Sequence, residues 1–170
     1  MAAALLESKL TERIGAGAVQ IRSSGFGPVD LPAIDDAVAA MRRRGLDVSA
    51  HRSSASTASL VDGADLILTA ERDHVVKIAA LSPAAFRRAL TLPEFLVAAV
   101  PAGNDTVDGV DIRAWVESLT AERTAGEYLR ADVPEVDDPT GWAPRAFEAA
   151  VAAIEQQCDD VAAQLARRLS

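Results

Sequence analysis

The sequence predicts an α/β domain, a parallel sheet wrapped by helices. Two observations carry that expectation. Segments with helical apolar spacing alternate with short apolar runs that suit strands. A long amphipathic segment, 143–169, then closes the chain, as in folds whose helices cover a sheet.

Each element has its own signal. "AALLESKLTERI" (3–14) reads as a helix with Leu6, Leu10 and Ile14 four apart on one face. "AVQIRSS" (18–24) alternates Val19 and Ile21 and ends in "GFGP", a strand followed by a turn. "LPAIDDAVAAMRRRG" (31–45) reads as a helix, with Pro32 in its first turn and Gly45 at its stop. A buried strand is expected over 65–70 and a helix over 72–81, ending before Pro83. A short strand is expected near 89–92, and a further helix lies in "DIRAWVESLTAERTAG", ahead of an acidic loop. No internal repeat is visible, and the loop at 131–142 is too short to join two domains, so residues 1–170 are expected to form a single domain.

Composition excludes several classes of function. The net charge of −8 argues against a nucleic-acid partner, because phosphate backbones select basic faces. A single cysteine and the lack of a signal-like start suit a reducing, cytoplasmic setting without disulfides. No apolar run is long enough to span a bilayer, so no membrane is implied.

The acidic loop, "DVPEVDDPTGW", is the most suggestive stretch. Asp138 stands directly before Pro139 in a Gly-containing loop, and Trp142 follows four residues later. An aspartate displayed in this way is able to hand a proton to a leaving group. Asp before Pro is also ordinary turn chemistry, which leaves Asp137 and Asp138 open as plain loop acids. The lone thiol, Cys158, shares one helix face with Phe147, Val151, Ile154, Val161 and Leu165, so it reads as a small core residue. Its acidic neighbours work against a thiolate. His51 and His74 stand 23 residues apart with no second cysteine, which argues against a zinc site. No cofactor or metal is implied. Arg42–Arg44 sit at a helix end, where interaction with the C-terminal carbonyls is favoured over anion binding.

The order of small motifs says more than any one of them. It runs "VQIRSSG", "AIDDAVAAMRRRGLDVSAHRSSAST", "LVDGADLILTAERDHVVKI", "ALTLPEF", then "VDDPTGWAPRAFEAAVAAIEQQCDDVAAQL". In that order the chain resembles the low-molecular-weight protein tyrosine phosphatase family over almost its whole length. Ser23-Ser24-Gly25 stands where the family has Ser-Ala-Gly, and His51-Arg52 closes the loop of the second helix. Ala64 to Thr69, with His74 after it, matches the third strand, and Asp138-Pro139 the acid loop.

The resemblance implies a flavodoxin-like, three-layer αβα fold whose four parallel strands run in the order 2-1-3-4. It makes Asp138 the general acid, with Ser23 and Pro139 structural beside the site. It also makes Phe26 and Trp142 candidate aromatic walls, although either ring is also explained by core packing. The substrate implied is a phosphorylated protein or a small aryl phosphate.

The front of the chain departs from the family. "MAAALLESKL" looks like the family's first helix, with no apolar strand and no Cys-x5-Arg loop before it. Hydrolysis by the family's route needs a thiolate nucleophile, a ring of backbone N–H groups at a helix N-terminus, and a bidentate arginine. The chain is therefore expected to lack the first strand, to show a gap beside strand 65–70, and to be inactive by itself, its acid kept and the acid's target lost. A truncated phosphatase is the favoured reading. A non-catalytic binding or regulatory module of the same family is the alternative. An arsenate reductase, which would need further redox cysteines, is third.

Overall fold

A computed structural model describes residues 1–99 and 111–169. Within them the chain divides into two compact units, 1–56 with 138–166, and 57–99 and 111–137 with 167–169.

The first unit is helical. Helix α1 (Ala2–Ile14) buries Leu5 and Leu10; of the expected stripe Leu10 is buried, while Leu6 and Ile14 are half-buried. It closes at Gly15, where φ is 89° and the N–H donates to the Thr11 carbonyl at 3.0 Å. Helix α2 (Asp35–Arg42) starts later than expected. Pro32 does not open it. Pro32 lies in an antiparallel bridge with Arg52, and Ile34 is still extended. Asp35 and Asp36 occupy the first turn instead, where acids favour the positive end of the helix dipole.

The stop of α2 is as read. Gly45 adopts φ 75°, its N–H donates to the Arg42 carbonyl, and the Leu46 N–H reaches back to Met41. Those two bonds form a Schellman motif, and its left-handed position suits glycine.

Helix α8 (Pro144–Leu169) completes this unit. Its expected face is fully confirmed, with Phe147, Val151, Ile154, Cys158, Val161 and Leu165 all buried. Arg13 of α1 pairs with Asp159 at 2.8 Å. Arg44 lies just past α2 and is 13% exposed; it holds Glu148 at 2.7 Å, Glu155 at 2.6 Å and the Ala40 carbonyl at 3.1 Å. Of the arginine triplet, Arg44 therefore meets one carbonyl in the last turn of α2, and it also ties α2 to α8. Hydrogen bonds from Arg43 and Arg44 hold the Glu148 carboxyl below its ordinary range.

The expected strand at 18–24 is not one. Val19 and Ile21 are half-buried and alternate with exposed residues, yet the segment enters no ladder among the described residues. Just past it, Gly25 makes an isolated parallel bridge with Ala55. Alternation gives a chain the shape of a strand, but only a partner makes it one.

The second unit contains a parallel pair, β1 (Ile67–Thr69) and β2 (Ala89–Thr91), in register Ile67 to Ala89, Leu68 to Leu90 and Thr69 to Thr91. Helix α4 (Arg72–Leu81) and a 3₁₀ turn (Pro83–Arg88) make the crossover. Around them lie α3 (Ala58–Gly63), α5 (Leu92–Ala99), α6 (Ile112–Leu119) and α7 (Ala125–Tyr128). Asp111 caps α6 through the N–H groups of Arg113 and Ala114, and Thr124 caps α7 through that of Glu127. The core here gathers Val61, Val75, Ile78, Leu90, Phe95 and Val116. Phe95 meets Trp115 edge to face at 5.7 Å.

The two strands differ in cover. All of β2 is buried, whereas Ile67 and Leu68 of β1 are only half-buried, as is Leu66 before them. Strands of a parallel sheet are normally covered on both faces. Among the described residues, β1 pairs with β2 alone.

Candidate active site

The acidic loop is laid down by the second unit. The Val136 N–H donates to the Ala70 carbonyl at 2.9 Å, just past β1. The Thr91 hydroxyl, at the end of β2, donates to the Pro134 carbonyl at 2.6 Å. Residues 134–136 therefore cross the carboxyl ends of both strands, the edge at which open α/β sheets bind ligands.

Thr91 is held in turn by Glu94, whose carboxylate accepts the Thr91 N–H at 3.1 Å. Glu94 also accepts from Arg123 at 3.2 Å and from the Tyr128 hydroxyl at 3.3 Å. Arg123 donates to the carbonyls of Phe86 and Ala89, and its guanidinium lies 4.2 Å from the Phe86 ring centroid and 4.8 Å from that of Tyr128. Burial and the Glu94 charge both push the Tyr128 phenol up. Beside this network lies a cavity of about 310 Å³, lined by Glu94, Tyr128, Val133 and Pro134 among others. Sequence reading gave no hint of the network, because its partners stand 29 to 37 residues apart with no periodic signal.

Two residues beyond Val136, Asp138 is exposed. Its Oδ1 accepts the Thr140 N–H at 3.0 Å and the Thr140 hydroxyl at 2.7 Å. Pro139 is buried, and its carbonyl accepts the Trp142 N–H at 3.0 Å. Gly141 has φ 79°, the value a type II turn needs at its third position. Trp142 is 43% exposed at the end of this turn.

Ser23 and Phe26 lie on a different segment. The Ser23 carbonyl accepts the Ser54 hydroxyl at 2.9 Å, and Gly25 bonds to Ser54 and Ser56. Ser23 is exposed and Phe26 half-buried. The Thr140 contact was readable from the sequence, since Asp-x-Thr is a common side-chain-to-backbone turn.

No nucleophile accompanies the acid among the described residues. Cys158 is buried, and its thiol reaches the Ala2 carbonyl at 3.6 Å. Burial pushes that thiol up to about 11, the reverse of what a reactive thiolate needs. The residue six positions after it is Gln164, not an arginine. Among the described residues, no three His, Cys, Asp or Glu side chains are grouped so as to hold a metal ion, and no helix is long and apolar enough to cross a membrane.

Comparison with known proteins adds to this geometry. Residues 1–108 match the family model for low molecular weight phosphotyrosine protein phosphatase. No curated protein matches the chain. Among solved structures, a YwlE mutant from Bacillus subtilis is similar at 24% identity with a TM-score of 0.69, over 96% of this chain and 87% of that one. The YwlE arginine phosphatase from Geobacillus stearothermophilus is similar at 23% identity and TM-score 0.66, over 96% and 82%. The tyrosine phosphatase Wzb from Escherichia coli K30, solved with sulphate, follows at 22% and 0.63, over 96% and 89%. At these identities the likeness is one of fold.

Proposed function

Because the chain belongs to the low molecular weight phosphotyrosine protein phosphatase family, we propose that it is a phosphomonoester hydrolase domain that holds the acid half of the active site and lacks the nucleophile half within residues 1–170. The carrying observation is the contrast between two residues. Asp138 is exposed in a well-bonded turn, whereas the only thiol is buried on α8 with no arginine at the required spacing.

The finer fold reading goes with this. The domain is a flavodoxin-like αβα sandwich short of its first strand, and the vacant position lies along the free edge of β1. The half-buried Leu66, Ile67 and Leu68 support that reading, because apolar side chains of a parallel strand call for cover. A strand from outside residues 1–170, followed by Cys-x5-Arg-Ser, would restore both the sheet and the phosphate cradle.

In the completed site the thiolate attacks phosphorus and the loop amides and arginine hold the non-bridging oxygens. Asp138 gives its proton to the departing oxygen. As a carboxylate it then takes a proton from the water that hydrolyses the phosphocysteine. Trp142, exposed at the end of the acid turn, serves as an aromatic wall, with Phe26 as the opposing candidate. The substrates are a phosphorylated protein or a small aryl phosphate, and the buried lone thiol suits a reducing, cytoplasmic compartment.

Titration calorimetry with inorganic phosphate tests this reading. The 170-residue protein should give no binding heat at millimolar phosphate, because without the amide ring and arginine nothing clamps the oxygens. Millimolar or tighter binding would contradict the missing cradle.

A further inference from the structure

We propose that Thr140 is a positioning residue for the Asp138 acid, holding one carboxyl oxygen with two donors so that the other alone carries and delivers the proton. This rests on the reading of Asp138 as general acid. The observation is asymmetric. Both the hydroxyl and the N–H of Thr140 donate to Oδ1, at 2.7 Å and 3.0 Å. No described residue donates to Oδ2.

An oxygen that already accepts two hydrogen bonds is a poor seat for a proton, so in the neutral acid the proton sits on Oδ2. Two bonds to one oxygen also fix both side-chain torsions, which a single bond would not. The surrounding turn is itself constrained, by the buried Pro139, by Gly141 in its left-handed conformation, and by the Trp142 N–H on the Pro139 carbonyl.

The same bonds act in the reaction. As the Oδ2–H bond breaks, its electron pair stays on Asp138 and the proton joins the leaving oxygen. Phosphorus is by then bonding to the thiolate of the added loop. The two bonds to Oδ1 become charge-assisted, which roughly doubles their strength. An interaction that strengthens as the transition state forms lowers the barrier and does more than tighten the ground state.

The test needs no activity. Three-bond couplings from the Asp138 carboxyl carbon to its own backbone nitrogen and carbonyl carbon report its first side-chain torsion by NMR. In the 170-residue protein they should take the values of one staggered rotamer. Thr140→Val keeps the shape and the N–H but loses the hydroxyl, and the couplings should collapse toward rotamer averages. Thr140→Ser should restore them. Amide spectra away from residues 137–142 should be unchanged in both variants, since Thr140 is exposed. Couplings in Thr140→Val equal to those of the wild type would overturn the proposal.

A second reading comes from the strand-completed protein. There Thr140→Val should lower kcat for phenyl phosphate about tenfold with little change in KM, and Thr140→Ser should recover most of it. An unchanged kcat would also overturn the proposal. Complete inactivity of the strand-completed parent would instead count against the phosphatase reading and leave the coupling result standing.

Discussion

Placing an apolar strand and a Cys-x5-Arg-Ser loop directly before residue 1 should give aryl phosphatase activity that the 170-residue protein does not show, and should raise the melting temperature in the same step. The two effects share a cause. Among the described residues β1 pairs with β2 alone, and Leu66, Ile67 and Leu68 are only half-buried. Open strand edges also invite pairing between chains. Covering a few hundred Å² of apolar surface is worth several kcal/mol at about 25 cal/mol per Å². Ordering the added residues takes back part of that. A net gain of about 3–5 kcal/mol raises Tm by roughly 10 °C in a protein of this size. The short form should correspondingly aggregate more readily.

Activity then isolates the role of Asp138. In the completed protein, Asp138→Ala should slow phenyl phosphate by about 10² or more, the usual worth of a general acid. p-Nitrophenyl phosphate should suffer much less, because its leaving group departs without a proton. A completed protein that folds no better than the 170-residue chain, and turns over nothing, would leave the non-catalytic module as the better account.

The second large effect concerns Arg123. Its side chain is 11% exposed and that of Glu94 19%, so the pair is largely withdrawn from water. Arg123→Met should destabilise the protein by about 3–5 kcal/mol, the range found when one partner of a buried ion pair is removed. The loss spreads because Glu94 also holds the Thr91 N–H, and Thr91 holds the Pro134 carbonyl beneath the acid loop. The matched control is Arg13→Met. Arg13 and Asp159 are each 36% exposed, and exposed pairs are worth about 0–1 kcal/mol. Urea unfolding of both variants gives the comparison. Equal losses would mean that Arg123 does not organise the end of β2.

Some of this was legible in the sequence and some was not, for identifiable reasons. Helices α4 and α8 were readable because their own apolar spacing determines which face is buried. Gly45 was readable because the left-handed turn it makes suits glycine. The segment 18–24 was not, since its alternation is real but a strand also needs a neighbour, which no local pattern reveals. Pro32 misled because it suits a helix start and an extended bridge equally, and Asp35-Asp36 marked the true start. Short elements such as α3 and α7 carry too few residues for a period to show. The turn at Asp138 was legible from Asp-Pro beside a glycine, and the Thr140 partner of its carboxylate from the spacing alone. The Arg123 network could not, because nothing local links Phe86, Glu94, Arg123 and Tyr128.

The most direct test of the central claim is turnover of p-nitrophenyl phosphate by the 170-residue protein beside its Cys158→Ser variant. Both should hydrolyse it at the background rate, because the thiol is buried and raised to about 11 and no arginine follows it at the family spacing. Enzymatic turnover abolished by Cys158→Ser would make Cys158 the nucleophile, and turnover that survives the substitution would mean another group attacks phosphorus. Either result would contradict an active site whose acid lies within these residues and whose nucleophile does not.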